Sequence, residues 1–98
     1  ARGDLDAIIS LRAKIDNIDQ SLMKLVAERM KIAEQIGIIK KESAISILQA
    51  NRWEEILTSL LATGKELGLS DEFVSSLIEA IHIESIQHQS KKMNQSED

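Results

Sequence analysis

The sequence predicts an all-α domain, and three observations carry that expectation. The 98 residues include no Pro, only two aromatics (Trp53 and Phe73), and a long ladder of apolar residues spaced alternately three and four apart. A chain of this length is one domain, residues 1–98, and buries only about two-thirds of the surface that its unfolded form exposes. Three helices are expected, one long and two shorter. They form an ordered core over residues 5–90, followed by a polar tail at 91–98.

The first helix is predicted over residues 5–41. Ile8, Ile15, Leu22 and Ile36 take the a positions of a heptad repeat, and Leu11, Ile18, Leu25, Ile32 and Ile39 take the d positions. Arg29 occupies the remaining a position. At 1.5 Å per residue this helix is ~55 Å long, whereas a compact chain of this size has a radius of gyration of about 13 Å. Its seam is therefore expected to be covered partly by the later helices of the same chain and partly by another subunit. Residues 41–46 lose the heptad and read as a connection. Ser46 and Gln49 have capping-box spacing for a second helix, with Trp53, Ile56, Leu57, Leu60 and Leu61 along one side. That helix ends near Leu67, where Gly68 suits a left-handed stop. Ser70 caps the third helix, and Asp71 and Glu72 suit its positive N-terminal end. The third stripe runs Phe73, Val74, Leu77, Ile78, Ile81, Ser85, Gln89. From Lys91 onward the periodicity is lost and fraying is expected.

Composition removes several classes of function. Twelve basic against 16 acidic residues give a net charge of −4, which argues against nucleic acid or an anionic membrane as a partner. Residues 1–41 nevertheless hold eight cations against six acids. The absence of Cys excludes disulfides, thiolate catalysis and cysteine-held zinc. No apolar run approaches the ~18 residues of a membrane span, and Ala1-Arg2-Gly3-Asp4 does not start a signal peptide, so a cytoplasmic protein is expected. A first residue other than Met fits a chain processed or excised from a longer one. There is no Gly-rich phosphate loop and no GxSxG turn. His82 and His88, six apart, are poorly spaced for metal ligands on one helical face and read as surface or packing residues. Neither metal nor cofactor is expected, and an enzyme built from this chain would need no nucleophile.

A cation in a heptad seam is costly to bury unless an anion meets it. Arg29 either snorkels or pairs with an acid such as Glu28, or it binds an anionic ligand. Lys40 lies within ~20° of Arg29 around the helix and about 16 Å further along it; Arg12 is ~25 Å away in the other direction. No small ligand bridges Arg12 and Arg29 within one chain. In an antiparallel pair with its two-fold axis near residue 23, however, Arg12 faces position 34 of its partner, between Arg29 and Lys40. Two such clusters suit a small ligand with several negative charges, because arginine forks match carboxylates. Gln49, Arg52 and Trp53 share a face of the second helix, and Ser85 and Gln89 share a face of the third. Each has a plainer reading: Gln49 as the capping partner of Ser46, Trp53 as core, and Ser85 and Gln89 as a polar patch or a helix-to-helix hydrogen bond.

Several of these residues recur in a known order. They are Leu11-Arg12 with Ile15, Ile18 and Asp19; Leu25-Val26-Ala27-Glu28-Arg29; Gly37 with Lys40; Asn51-Arg52; Leu67-Gly68-Leu69; and Ile83-Glu84-Ser85 with Gln89. In this the chain resembles, over about residues 5–90, the all-helical (type II) chorismate mutases. These convert chorismate to prephenate on the way to phenylalanine and tyrosine. The resemblance implies an intertwined antiparallel homodimer with two shared active sites and no cofactor. It also admits a domain excised from a bifunctional aromatic-biosynthesis enzyme. By matching position, Arg12 of the partner subunit and Arg29 would hold the substrate carboxylates, with Arg52 supporting the anionic end and Ser85 near a carboxylate. Lys40 and Gln89 would meet the ether oxygen, and Gln49 the ring hydroxyl. Family members commonly carry acids where this chain has Gln49 and Trp53. Isochorismate-pyruvate lyases share the fold and the cationic cluster, so a lyase is the alternative enzyme. A helical dimerisation or regulatory module is the alternative without catalysis.

Overall fold

The computed structural model describes residues 2–43 and 50–93, which form three helices and, among the described residues, no strand. They are α1 (Arg2–Ser43), α2 (Ala50–Glu66) and α3 (Asp71–Met93). The 42 residues of α1, at 1.5 Å each, account for the 63 Å length of the molecule. Helix α1 outruns its expected span at both ends. Asp4 in its first turn and Lys40 and Lys41 in its last each complement the helix dipole. Lys41 is therefore helical and does not open the connection; the Ser46–Gln49 capping box lies outside the described residues.

The turn between α2 and α3 follows its sequence signals. Gly68 adopts φ 82°, the Leu69 amide donates to the Gly64 carbonyl at 2.8 Å, and the Gly68 amide donates to the Lys65 carbonyl at 3.2 Å. This pair of bonds satisfies carbonyls that the end of α2 would otherwise leave open. Two residues later the Ser70 hydroxyl accepts from the Phe73 amide at 3.2 Å and caps α3.

Helix α3 is the middle element: it packs on both α1 and α2, while α1 and α2 do not meet among the described residues. At its start, Val74 and Ile78 are buried, and Gly64 of α2 leaves room for the Val74 side chain. Further along, Ser85 is buried, and the backbone at Gln89 lies against Gly37 of α1.

The heptad seam is not where the chain covers itself. Helix α3 lies on the adjoining stripe of Met30, Ala33 and Gly37, all buried, because small residues there let the two backbones approach. The nine apolar residues of the seam remain 41–64% exposed. Every residue from 2 to 25 is exposed. On α3, Phe73 and Leu77 likewise point outward, so the buried stripe is Val74, Ile78 and Ser85 rather than the broader one expected. The start of the tail is ordered too, since α3 continues through Met93 and Lys92 pairs with Glu34 at 3.8 Å. The radius of gyration is 18.3 Å, well above the ~13 Å of a compact chain. The exposed area of 7820 Å² likewise exceeds the ~5,600 Å² typical of a folded monomer of 10.9 kDa.

One histidine joins α1 to α3. His88 places Nδ1 2.7 Å from Glu34 and Nε2 2.7 Å from Glu84. Its hydrogen bond to Glu34, and then that to Glu84, raises the His88 pKa; the same contact with His88 lowers that of Glu34. The raised His88 contributes stability in full below its unfolded value of about 6.5, and that contribution is lost as pH rises through the folded value. The lowered Glu34 contributes above the ordinary carboxylate range, and its share is lost as pH falls through its folded value. Thermal midpoints measured across pH should therefore peak in the mildly acidic range, and His88→Ala should flatten the alkaline limb. An unchanged alkaline limb in that variant would assign the pH dependence to other groups.

Candidate active site

Because α1 and α2 do not meet, a gap remains between them that is floored by α3, and it forms a cavity of about 310 Å³. That volume suits a small metabolite. Helix α1 contributes Arg29, Ile32, Ala33, Ile36 and Lys40; α2 contributes Arg52, Trp53 and Ile56; α3 contributes His82, Ser85, Ile86 and Gln89. The spacing explains the convergence: Arg29, Ala33, Ile36 and Lys40 recur at steps of three and four, as do His82, Ser85, Ile86 and Gln89.

Two polar pairs tie α1 to α3 along this cavity. Arg29 donates to the Ser85 hydroxyl, which also lies 3.7 Å from the Met30 sulfur. Three turns along α1, Lys40 Nζ donates to Gln89 Oε1 at 3.1 Å. Ser85 is 5% exposed and so depends on these partners. Gly37 lies between the two pairs. A Cβ there would be 2.8 Å from the carbonyl oxygen of Gln89 and 2.9 Å from its Cα, so only glycine lets α3 come this close.

The cavity is electropositive. Burial first, and the nearby charge of Arg52 second, lower the pKa of Arg29 below its ordinary value. A guanidinium does not give up its proton in consequence, so an anion between the two arginines would be favourable. Arg52 is largely exposed and lies 3.7 Å from Glu55 on its own helix. Opposite the α1 wall, the rings of Trp53 and His82 stack with centroids 4.4 Å apart and planes at 30°.

Of the residues singled out from the sequence, Arg29, Lys40, Arg52, Ser85 and Gln89 share this cavity. Arg12 does not join them: it sits on the exposed half of α1, seventeen residues or about 25 Å from Arg29. Gln49 lies outside the described residues. Trp53, read as core, is half-buried and is part of the cavity wall as well. His82 was read as a surface or packing residue, yet it stands one turn before Ser85 on the same face of α3. That spacing alone could have marked it. Ile32 and Ile36, seam positions of the heptad, and Ile56, on the apolar side of α2, form the apolar wall of the cavity together with Ile86, which the sequence reading does not single out. Among the described residues, no cluster of His, Cys, Asp and Glu could hold a metal ion, and no helix is long and apolar enough to cross a membrane.

Comparison with known proteins follows this geometry. The family model for chorismate mutase type II matches residues 11–90. The bifunctional chorismate mutase/prephenate dehydratase of Buchnera aphidicola subsp. Acyrthosiphon pisum is 31% identical over 86 residues, which are 88% of this chain and 22% of that protein. The protein of the same name from Escherichia coli is 28% identical over 88 residues, 90% of this chain and 23% of that one. The T-protein of Haemophilus influenzae is 25% identical over 81 residues, 83% and 22%. The chain thus spans less than a quarter of the length of these curated relatives. No solved structure gives a significant match.

The two buried glycines should respond differently to alanine. Within a helix the exchange gains about 1 kcal/mol of propensity, while overpacking typically costs about 1–3 kcal/mol. At Gly64 the clash is with a Val74 methyl group 2.6 Å away, which can shift; at Gly37 it is with backbone. Gly37→Ala should lower the thermal midpoint more than Gly64→Ala and should separate Lys40 from Gln89. Equal midpoints for the two variants would show that α3 can slide without loss.

Proposed function

The chain belongs to the chorismate mutase type II family, and from that premise we propose that it is an isomerase that rearranges chorismate to prephenate. The observation that carries this reading is the single cavity in which Arg29 with Ser85, and Lys40 with Gln89, mark two polar ends between apolar walls. The reaction is a concerted pericyclic shift: one C–O bond breaks as one C–C bond forms, with no proton transferred and no covalent intermediate. What remains for the protein is to fold the enolpyruvyl arm over the ring and to stabilise the negative charge growing on the ether oxygen. Arg29 and Arg52 hold carboxylates and Ser85 fixes the Arg29 fork, while Gln49 meets the ring from the start of the second helix. Lys40 donates toward the ether oxygen, and its bond to Gln89 Oε1 leaves the amide NH₂ of Gln89 as the second donor.

The active unit in this reading is an antiparallel homodimer. The exposed seam of α1 supports it, as does an exposed area well above that of a compact monomer. With the two-fold axis near residue 23, Arg12 of the partner subunit enters between Arg29 and Lys40 and completes the anion site. Residues 1–98 act as a mutase domain in the cytoplasm, in line with relatives whose names join two activities in one protein. Trp53 in the cavity wall, where the resembling enzymes hold an acid, favours isochorismate-pyruvate lyase as the second reading.

Adding chorismate and following its loss tests the proposal: prephenate should accumulate. Salicylate and pyruvate formed from isochorismate would support the lyase, and loss of neither substrate would leave a non-catalytic module. Arg12→Ala and Arg29→Ala should each nearly abolish activity. After subunit exchange between the two inactive proteins, activity should return in part, because one site of each mixed dimer carries neither lesion. Verified heterodimers without activity would remove Arg12 from the shared site.

Lys40→Ala and Gln89→Ala should act mainly on kcat, since the oxygen they face gains charge only as the bond breaks. Loss of one oriented donor costs about 2.7–4 kcal/mol, on the order of a hundredfold or more in rate. A raised KM with unchanged kcat would place these donors on the ground state instead.

A further inference from the structure

We propose that His82, oriented by its stack on Trp53, accepts a hydrogen bond from the substrate's ring hydroxyl and so selects for a hydroxylated ring. This rests on the mutase reading and extends it to a residue of α3 outside the cationic machinery. The carboxylates and the ether oxygen of chorismate are hydrogen-bond acceptors, and the cavity meets them with cations. The ring hydroxyl is different: its proton needs an acceptor.

Among the described residues, acceptors are scarce on the cavity wall. Ser85 Oγ already accepts from Arg29, and Gln89 Oε1 already accepts from Lys40. Glu55, which pairs with Arg52, is not among the residues lining the cavity. His82 remains. Its ring is half-buried in the wall and makes no hydrogen bond to any described residue. A neutral imidazole offers one acceptor and one donor, both in the plane of the ring. The stack on Trp53 occupies a ring face and leaves that plane available, while fixing where the nitrogens can point. The aromatic pair thus positions a ring nitrogen in a cavity otherwise dominated by positive charge.

The test compares chorismate with its 4-deoxy analogue. Wild-type protein should prefer chorismate in kcat/KM. His82→Phe keeps an aromatic ring on Trp53 but removes the acceptor, and should reduce that preference by about three- to tenfold, as expected for one neutral hydrogen bond. His82→Gln restores a neutral acceptor and should retain more of the preference. A wild-type preference surviving in His82→Phe overturns the proposal, as does an equal loss on both compounds in both variants, which would mark a packing role. Trp53 is the only Trp, in a chain without Tyr, so its fluorescence reports ligand binding without turnover. If wild-type protein fails to consume chorismate, the mutase reading falls by itself. The fluorescence titration then decides the role of His82. Tighter binding of the hydroxylated compound, lost in His82→Phe, sustains it, and equal binding of the two compounds by wild-type protein ends it.

Discussion

The contact on which the rest of the structure depends is the backbone approach of α3 to α1 at Gly37. A Cβ at this position would collide with the main chain of Gln89, which cannot rotate away as a side chain could. Glycine within a helix costs about 1 kcal/mol relative to alanine, so the close crossing must return more than that. It does so by setting the separation at which Lys40 reaches Gln89 and Arg29 reaches Ser85, on either side of the crossing. The gap between α1 and α2 follows from the same placement. Helix α3 lies between the other two and keeps them apart, and the space so created is the cavity.

Electrostatics then give this space its chemistry. Lining a half-buried cavity with Arg29, Lys40 and Arg52 is unfavourable for the folded chain, and the depressed Arg29 pKa reflects that cost. The hydrogen bond from Arg29 to Ser85 orients that guanidinium without neutralising it, because a hydroxyl is uncharged. The placement of the cations suits a reaction in which negative charge moves between fixed points, since oriented donors then need not reorganise as the bond breaks.

Much of this was legible in the sequence because local rules governed it. The Gly68 stop and the Ser70 cap depend on neighbours within five residues, and both formed as read. Ser85 and Gln89 stood out as polar positions in an apolar stripe, and Arg29 as a cation in a heptad ladder. Hydrophobic periodicity, however, says which face wants cover and not what supplies it. The large residues of the seam drew attention to the wrong stripe for α3, whose true footing is the small Ala33 and Gly37 beside Met30. The ring stack of Trp53 on His82 escaped notice because it joins two helices whose register no local pattern specifies. Lys92 looked like part of a frayed tail, but its partner Glu34 lies on another helix.

The exposed rod and the proposed shared site have one origin. Helix α1 is far longer than α3, and its buried residues, Met30, Ala33 and Gly37, all lie in its C-terminal half. The other half carries Ile8, Leu11, Ile15 and Ile18, each more than two-fifths exposed, with Arg12 among them. In the proposed antiparallel dimer, the symmetry that covers these apolar residues also delivers Arg12 to the cavity of the other chain. Burial of the seam would supply the free energy of association, while the arginine would add to function more than to affinity, since bringing it beside Arg29 and Lys40 is repulsive. A dianionic ligand reverses the sign of that last contribution. The proposed dimer is thus held by the hydrophobic seam, and its cationic cluster becomes favourable when substrate binds.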